Sequence, residues 1–391
     1  MSLAAAPPAE GLVARAEALV PMLRESAATV EAERRLTPDH FDALAEAGLF
    51  RMMAPKKYGG YEATFQTQYD ALAAIARGCP SSSWVATILS AMGWLAAVFP
   101  DEAQEEIYAS GDPRISGVFS PTGTASHTDG GFTVSGRWGF NTGGHGSDWV
   151  IVNTILQTGE TAGMPLTVVL AAADVTRLDD WHATGMAATG SSTILAEDAF
   201  VPAYRTLPLP DLVAGRYPER HNSVGPYFNY PTVPVLVVNA GGTPVGAAQG
   251  AFEAFMERLP GRGLTYTSYT NQAEAPVTHL TLGEAALTTE SADAHVQRAC
   301  TIMDAHREGP LPLEGRVKAR AHVGFATGLA RQAVDLLFTA SGATAIQTHV
   351  PIQRYQRDLQ ALANHAIMWP PTALELYGRH LCGLEPHTEL Y

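Results

Sequence analysis

The spacing of apolar residues changes twice along the chain, and this limits the possible folds more than any other feature. From about residue 10 to 109 the apolar residues follow the 3.6-residue period of helices, as in "FQTQYDALAAIARG". Between roughly 113 and 205, short β-branched runs such as "DWVIVNTIL" are broken by Gly, Asp and Thr. Helical spacing returns near residue 234. We therefore predict helices, then strands, then helices.

Local signals place several ends within this order. Thr37 suits an N-cap, Pro38 the first helical position and Gly48 the end of that helix. The stretch "WVATILSAMGWLAAVF" is rich enough in Ala, Leu and Met to predict a buried helix. We expect an α+β, mostly α protein with a helical N-terminal domain, a central β domain and a C-terminal helical bundle, at residues 1–112, 113–210 and 211–391.

Composition favours a site for a small molecule. Of 391 residues, 46% are hydrophobic and 16% are charged, which is typical of a globular protein with a large buried core. The net charge is −14, and Lys and Arg cluster only in short runs such as "APKKYGG". Both features argue against a surface for nucleic acid or for an anionic membrane.

The cysteines and the N-terminus indicate a cytoplasmic protein. Cys79, Cys300 and Cys382 are far apart and lack metal-ligand spacing, so we expect no structural zinc and a reducing compartment. The N-terminus "MSLAAAPPAEGLVARAEALV" has no basic region before an apolar run, and no segment reaches the ~18 apolar residues that span a bilayer.

Short stretches spread along nearly the whole chain carry a family resemblance through their order and separation. They are "FRMMAPKKYGGYE", "CPSSSWV", "FPDEAQEEIY", "PTGTA", "GGFTVSGRWGFNTG", "WHATGMAATGSST", "GAAQGAFEAF" and "PIQRYQRDLQALANH". Together they resemble the acyl-CoA dehydrogenase fold, and within it the two-component flavin-dependent monooxygenases that use reduced flavin from a separate reductase.

The resemblance implies the architecture and the activity. It implies a β-barrel-like middle domain, a C-terminal four-helix bundle, flavin between the two, and a homotetramer. The cofactor would be reduced FMN or FAD, delivered by an NAD(P)H-dependent flavin reductase, and O2 would add at the flavin C4a. The resulting hydroperoxide would oxygenate an apolar, aromatic or polycyclic small molecule. An FAD-linked dehydrogenase or oxidase, or a non-catalytic scaffold, are the alternatives.

Thr142 is the first candidate for a site residue. The glycines that follow it at 143, 144 and 146 leave little bulk, so a hydroxyl and backbone amides could approach a flat ring; the alternative is a glycine-rich loop with an exposed Thr. In similar enzymes a Ser or Thr here contacts the flavin near N5, which assigns Thr142 and Gly143 to the cofactor. Trp138 and Phe140 are expected to pack. The resemblance adds three residues near the flavin: Thr122, Thr189 and Ser191.

His365 is the second candidate. On the helix predicted from Pro351 it lies about 100° from the centre of the apolar stripe, on the side shared with Asp358, so a partly exposed His paired with Asp358 is the alternative. Related monooxygenases have a His here, facing the flavin C4a, that stabilises the peroxide or moves a proton. The carboxylate base that some acyl-CoA dehydrogenases carry after this helix is missing, because no acidic residue occurs until Glu375.

Two further groups complete the predicted site. Ser341, Gly342 and Thr344 join two helices and suit an anion, as does Arg262; an ordinary helix connection and a surface charge are the alternatives. In similar proteins this loop contacts the flavin phosphate.

Three residues are expected near the substrate. Met92 stands where phenol-hydroxylating relatives tend to carry a His, and with Trp84 it suggests an apolar wall, although either residue could belong to the core. His145, in the glycine cluster, could face the substrate channel or lie exposed in the loop.

Overall fold

In the computed structural model, residues 9–217, 226–228, 230–307, 309–388 and 390–391 are described. The N-terminal part is helical, as predicted. Thr37 is the N-cap of the second helix, Pro38 begins it, and Gly48 follows its end with a left-handed φ of 84°. The helices of this part are α1 (Leu12–Glu33), α2 (Pro38–Glu46), α3 (Phe65–Gly78), α4 (Pro80–Ala96) and α5 (Asp101–Ile107).

The predicted β segment forms one seven-stranded sheet in the order β5-β6-β2-β1-β3-β4-β7. β1 pairs antiparallel with β2 and parallel with β3, so it lies between these two strands. The glycine cluster, which is Gly143, Gly144 and Gly146, lies between β2 and β3. These two strands are not neighbours in the sheet, so a two-residue hairpin turn cannot replace the connection. The strands are β1 (Ile115–Thr128), β2 (Gly131–Trp138), β3 (Trp149–Leu156), β4 (Pro165–Ala171), β5 (Thr176–Arg177), β6 (Ile194–Pro202) and β7 (Thr206–Pro208).

The C-terminal part is helical again and forms a bundle. α10 packs against α7, α8, α9, α11 and α12. The predicted boundary between residues 210 and 211 falls inside α6, and the division into domains stays a prediction. The helices are α6 (Leu209–Ala214), α7 (Thr232–Asn239), α8 (Gly242–Arg258), α9 (Pro276–Ala305), α10 (Leu313–Ala340), α11 (Ile352–Leu362) and α12 (Pro370–Leu381).

Two apolar cores stabilise the helical parts and the sheet. The larger core is continuous between the N-terminal and C-terminal helices, where α3 packs on both α1 and α8. The smaller core lies within the sheet around the fully buried Trp138, whose indole N–H donates to the Asn153 carbonyl. Trp138 thus packs as predicted. In the described part of the chain, no helix has the length and apolar character needed to cross a membrane.

Candidate active site

A cavity of about 570 Å³ opens where the loops of the β segment meet α4 and the end of α11. One side is formed by the connection between β5 and β6, and the other by the turn after α11. Its lining is Trp84, Phe140, Thr142, Trp181, His182, Ala183, Thr184, Gly185, Met186, Thr189, Ser191, Ala361, Leu362, Asn364 and His365. The cavity therefore brings together five of the residues predicted from the sequence: Trp84, Thr142, Thr189, Ser191 and His365.

Three of these side chains form a chain of hydroxyl groups along one wall. The Thr142 hydroxyl lies 2.7 Å from that of Ser191, which lies 2.7 Å from that of Thr189. Thr189 Oγ1 in turn donates to the Met186 carbonyl at 2.8 Å. All three Thr and Ser residues are buried. The cavity wall thus carries a continuous hydrogen-bonded network that ends at Thr142.

The Met186 carbonyl fixes the direction of this network. Each hydroxyl has one hydrogen to donate, and the Thr189 hydroxyl donates its hydrogen to the Met186 carbonyl. Ser191 must therefore donate to Thr189, and Thr142 must donate to Ser191. The Thr142 oxygen keeps free lone pairs but no free hydrogen, so it can only accept a hydrogen bond from a ligand.

The glycine cluster packs against neighbouring side chains and leaves little free space. A Cβ atom on Gly143 would lie 2.7 Å from Leu89 Cδ1, and one on Gly146 would lie 2.6 Å from the Phe41 ring. The Gly143 amide donates to the Thr189 carbonyl at 3.0 Å. The cluster therefore lets the loop approach α2 and α4 closely, and the Gly143 amide is already bonded within the protein.

His365 also lines the cavity, and the predicted helix does not reach it. α11 ends at Leu362, so His365 sits in the turn that follows. Its exposed surface faces an open cavity that it lines, and its ring packs edge-on to Trp84 with centroids 5.1 Å apart. Desolvation by the surrounding protein lowers the pKa of His365 to about 4, so the imidazole is neutral at pH 7.

The alternative pairing of His365 with Asp358 is not seen. Asp358 is buried, and its Oδ1 accepts a hydrogen bond from the Met186 backbone N–H at 2.5 Å. Helical spacing put the two side chains on one side of a helix, but the helix ends between them.

Two aromatic residues of the lining were not predicted. Phe140, which was expected to pack, is 74% exposed with a left-handed φ of 63°, so that prediction was wrong. Its ring meets Trp181 edge-on with centroids 5.5 Å apart. Trp181 stands in the quoted stretch "WHATGMAATGSST", but one sequence offers no signal that its side chain reaches a cavity.

Four residues predicted for this site lie outside the cavity lining: Gly143, described above, and three others. Met92 is buried on α4 with its sulfur against Gly117 of β1. Thr122 is exposed, and its hydroxyl donates to the Arg137 carbonyl. His145 is half-buried, with Nε2 3.0 Å from the Ser192 hydroxyl. Their roles at the site stay predictions.

The four residues predicted to bind phosphate come together near a second cavity, of about 1090 Å³. Arg262 donates to the Ser341 carbonyl, and its Nη2 lies 3.3 Å from Thr344 Oγ1. Arg262, Gly342 and Thr344 line the cavity, together with Arg331. The Ser341 hydroxyl is buried and donates to the Leu337 carbonyl. Arg262 and Arg331 give the cavity wall two guanidinium groups against the one carboxylate of Asp335, which suits an anionic ligand.

The first cavity has no acidic residue in its lining. Glu375, the first acidic residue after His365 in the sequence, lies on α12 and pairs with His387 at 3.3 Å. Among the described residues no group of three or more His, Cys, Asp or Glu could hold a metal ion. The polar groups of the cavity are thus hydroxyls, an amide and imidazoles.

Comparison with known proteins agrees with this fold. The acyl-CoA dehydrogenase N-terminal domain model matches residues 15–111, and the C-terminal domain model matches residues 239–370. The oxygenase subunit HsaA of a flavin-dependent monooxygenase from Rhodococcus jostii is 32% identical, covering 95% of this chain and 98% of its own. The oxygenase component of an FADH2-dependent resorcinol hydroxylase from a Rhizobium species is 31% identical, covering 96% and 95%.

A solved structure shows the same likeness in three dimensions. XiaF from a Streptomyces species, in complex with FADH2 and glycerol, superposes with a TM-score of 0.89 at 31% identity, covering 96% of each chain. The resemblance inferred from the sequence motifs is therefore confirmed. The chain belongs to the acyl-CoA dehydrogenase family, in the group of flavin-dependent monooxygenase oxygenase subunits.

Proposed function

We propose that this protein is the oxygenase component of a two-component flavin-dependent monooxygenase. It takes reduced FMN or FAD from an NAD(P)H-dependent reductase and uses O2 to oxygenate an apolar, aromatic or polycyclic small molecule. The observation that carries the proposal is one cavity that holds an acceptor hydroxyl, a neutral histidine and aromatic walls, with no acidic residue in its lining. The named relatives have activities of this kind.

The hydroxyl network fits the reduced form of a flavin. Reduced flavin carries a hydrogen on N5, whereas oxidised flavin has an acceptor there. The Thr142 oxygen, which can only accept, suits the N–H of the reduced ring. Bound reduced flavin supplies the reaction with oxygen, and the protein holds, orients and shields it.

His365 and the aromatic walls have separate tasks. A neutral imidazole offers one N–H donor and one acceptor nitrogen, so His365 can hold or pass a proton in the cavity without carrying charge. Trp84, Trp181 and Phe140 supply apolar surface that excludes water and suits a flat substrate. Arg262 and Thr344 would hold phosphate of the flavin at the second cavity.

The dehydrogenase alternative needs a carboxylate base, and none lines the cavity. The two functions differ in a simple experiment. A dehydrogenase purifies with tightly bound yellow flavin and reduces an acceptor dye without any reductase, whereas the oxygenase component needs reduced flavin to be supplied. A scaffold shows no substrate-dependent use of oxygen.

The direct test mixes the protein with reduced FMN or FAD under anaerobic conditions and then admits oxygen. We expect a C4a-adduct absorbance that outlives the same species in buffer without protein. An adduct no longer-lived than in free buffer would remove the oxygenase function. An equal concentration of serum albumin serves as the protein control.

The proposal extends to assembly and location. Val277, Leu280 and Leu287 are exposed apolar residues on α9, which is compatible with the homotetramer expected from the family. A mass near four times 41.5 kDa in light scattering is the expected result. All three cysteines are free thiols and Cys382 is exposed, which fits the reducing cytoplasm.

A further inference from the structure

The turn at Met186 connects the two halves of the active-site cavity. Met186 adopts a left-handed φ of 54°, which costs free energy for a residue with a side chain. Its carbonyl accepts from the Thr189 hydroxyl at 2.8 Å and, at 3.2 Å each, from the Thr189 backbone N–H and the Trp181 indole N–H. This carbonyl thus sets the direction of the hydroxyl network and places one aromatic wall.

The N–H of the same residue is held from the opposite side. It donates to Asp358 Oδ1 at 2.5 Å, and Asp358 is only 2% exposed. Asp358 lies on α11, the helix that leads into the turn with His365. One hydrogen bond therefore links α11, which leads into the turn with His365, to the residue whose carbonyl orients Thr142.

The contact around this hydrogen bond is close. A Cβ atom on Gly185 would lie 2.1 Å from the Arg357 carbonyl, so the turn lies directly on the backbone of α11. Arg357 Nη1 also donates to the Thr184 carbonyl at 2.5 Å. The turn at residues 184–186 is thus fixed to α11 by two hydrogen bonds and one glycine contact.

Asp358 sits among charges that come from three elements. Arg354 and Arg357 on its own helix both pair with Glu31 of α1. The thiol of Cys79, between α3 and α4, also interacts with Asp358. Desolvation, which is the largest effect, raises the pKa of Asp358 to about 7, although the Met186 N–H and the two arginines favour the carboxylate.

We propose that Asp358 is a positioning residue: it holds Met186 in the left-handed conformation and so fixes the carbonyl that makes Thr142 a pure acceptor. Asp358 does not line the cavity. Its ionised form binds the Met186 N–H more strongly than its protonated form, because a hydrogen bond to a charged acceptor is about twice as strong as a neutral one. Protonation near neutral pH would loosen the turn. The consequence for flavin rests on the proposed function, whereas the consequence for the turn does not.

The test measures amide hydrogen exchange of the 181–191 segment in the full-length protein. Asp358→Leu removes the acceptor and leaves the buried N–H unpaired, so we expect about tenfold less protection at this segment. Asp358→Asn keeps an oxygen acceptor and should retain most of the protection. If Asp358→Leu protects the segment as well as the natural residue does, the proposal is wrong.

A pH series separates positioning from general stability. Local opening of the turn detaches the Met186 N–H and leaves Asp358 buried on α11. Protection against this local opening, corrected for the intrinsic exchange rate, should therefore rise several-fold between pH 6 and pH 8 as Asp358 ionises. Global unfolding exposes Asp358 to water and has the opposite dependence on pH. Asp358→Asn cannot ionise and should show no such rise. The same rise in Asp358→Asn would overturn the assignment to Asp358. This comparison remains decisive even if Asp358→Leu fails to fold.

A second substitution tests the left-handed turn itself. Glycine adopts a φ of 54° without strain, so in a Met186→Gly background the Asp358→Leu change should cost only about threefold in protection rather than tenfold. An undiminished loss would show that Asp358 does not act through this turn.

Binding of flavin provides the readout at the cavity. Oxidised and reduced FAD are titrated against tryptophan fluorescence, since Trp84 and Trp181 line the cavity. Asp358→Leu should lower the preference for reduced over oxidised FAD by about fivefold, and an unchanged preference would overturn the link to Thr142. If the natural protein binds neither form, the proposed function fails, while hydrogen exchange still decides the role of Asp358.

Discussion

Replacing Gly143 by alanine tests whether the glycine cluster positions Thr142. Gly143 has a left-handed φ of 69°, and an added Cβ would lie 2.7 Å from Leu89 Cδ1 and 3.1 Å from Val85 Cγ1. Leu89 is 1% exposed and Val85 is fully buried, so neither side chain can move into solvent. The loop must therefore shift away from α4, and Thr142 must shift with it.

Two costs determine the expected loss of stability. A left-handed φ costs an alanine about 1–2 kcal/mol, and overpacking of a buried contact costs about 1–3 kcal/mol more. Gly130→Ala is the matched control, because Gly130 has a φ of 73° and nothing within 4 Å of an added Cβ. Both variants gain equally from the stiffer unfolded chain, so their difference isolates the collision at about 1–3 kcal/mol.

Thermal unfolding and flavin binding measure this difference. An unfolding entropy near 2.1 cal/mol/K per residue gives about 0.8 kcal/mol per kelvin for this chain, so Gly143→Ala should melt about 1–4 °C below Gly130→Ala. The Gly143 amide donates to the Thr189 carbonyl at 3.0 Å, so a shift of the loop disturbs the contact between the two loops that carry the hydroxyl network. Gly143→Ala should therefore also weaken the binding of reduced FAD. Gly130→Ala should bind normally.

Equal melting temperatures and equal flavin affinities for the two variants would refute the reasoning. The glycines would then serve only the backbone conformation. A further check places Gly143→Ala in a Leu89→Ala background, where the collision is relieved. The extra cost of the Gly143 change should then fall toward that of Gly130→Ala, and the contact with Val85 at 3.1 Å accounts for what is left.

Further predictions concern the remaining parts of the site. His365→Ala should bind reduced FAD but release hydrogen peroxide about a hundredfold faster after oxygen is admitted, and an unchanged rate would exclude its role in retaining the adduct. Ser191→Ala frees the Thr142 hydrogen for donation, so the preference for reduced over oxidised FAD should fall about fivefold in fluorescence titration. Arg262→Ala should weaken FAD binding about tenfold with little change in adduct lifetime. Asp358 binds its proton more tightly in the folded chain, with a pKa of about 7 against 3.8. The free energy of unfolding should therefore fall between pH 4 and pH 7, by at most about 4 kcal/mol, and Asp358→Asn should remove this slope in denaturant titrations.

The order of elements was predictable because it depends on local spacing. Apolar period and turn residues are properties of short windows, and they placed α3 at Phe65–Gly78 from sequence alone. The family motifs in turn named Thr142, Thr189 and Ser191, although these residues belong to two separate loops. The structure shows that their hydroxyls form one network.

The position of His365 was not predictable from local spacing. The residues after Leu362 continue a helix-compatible pattern until Pro370, so the sequence gives no sign that α11 ends earlier. The prediction that Phe140 packs was wrong for a related reason. Phe140 follows the end of β2, and its left-handed φ breaks the alternation of side chains along the strand, so that its ring lines the cavity. Trp181 and the Asp358 contact depend on which loop meets which helix, and no window of sequence contains that information.

The groups that line the cavity favour retaining a proton over removing one from carbon. A carboxylate base is absent from the lining, and the pKa of about 4 makes His365 a weak base at neutral pH. A weak base is poorly suited to remove a proton next to a thioester, because general-base catalysis works best when the pKa lies near the working pH. The same neutral ring keeps its own N–H, and Thr142 can only accept a hydrogen bond. The fold of the dehydrogenases thus surrounds a site whose proton chemistry suits reduced flavin and oxygen.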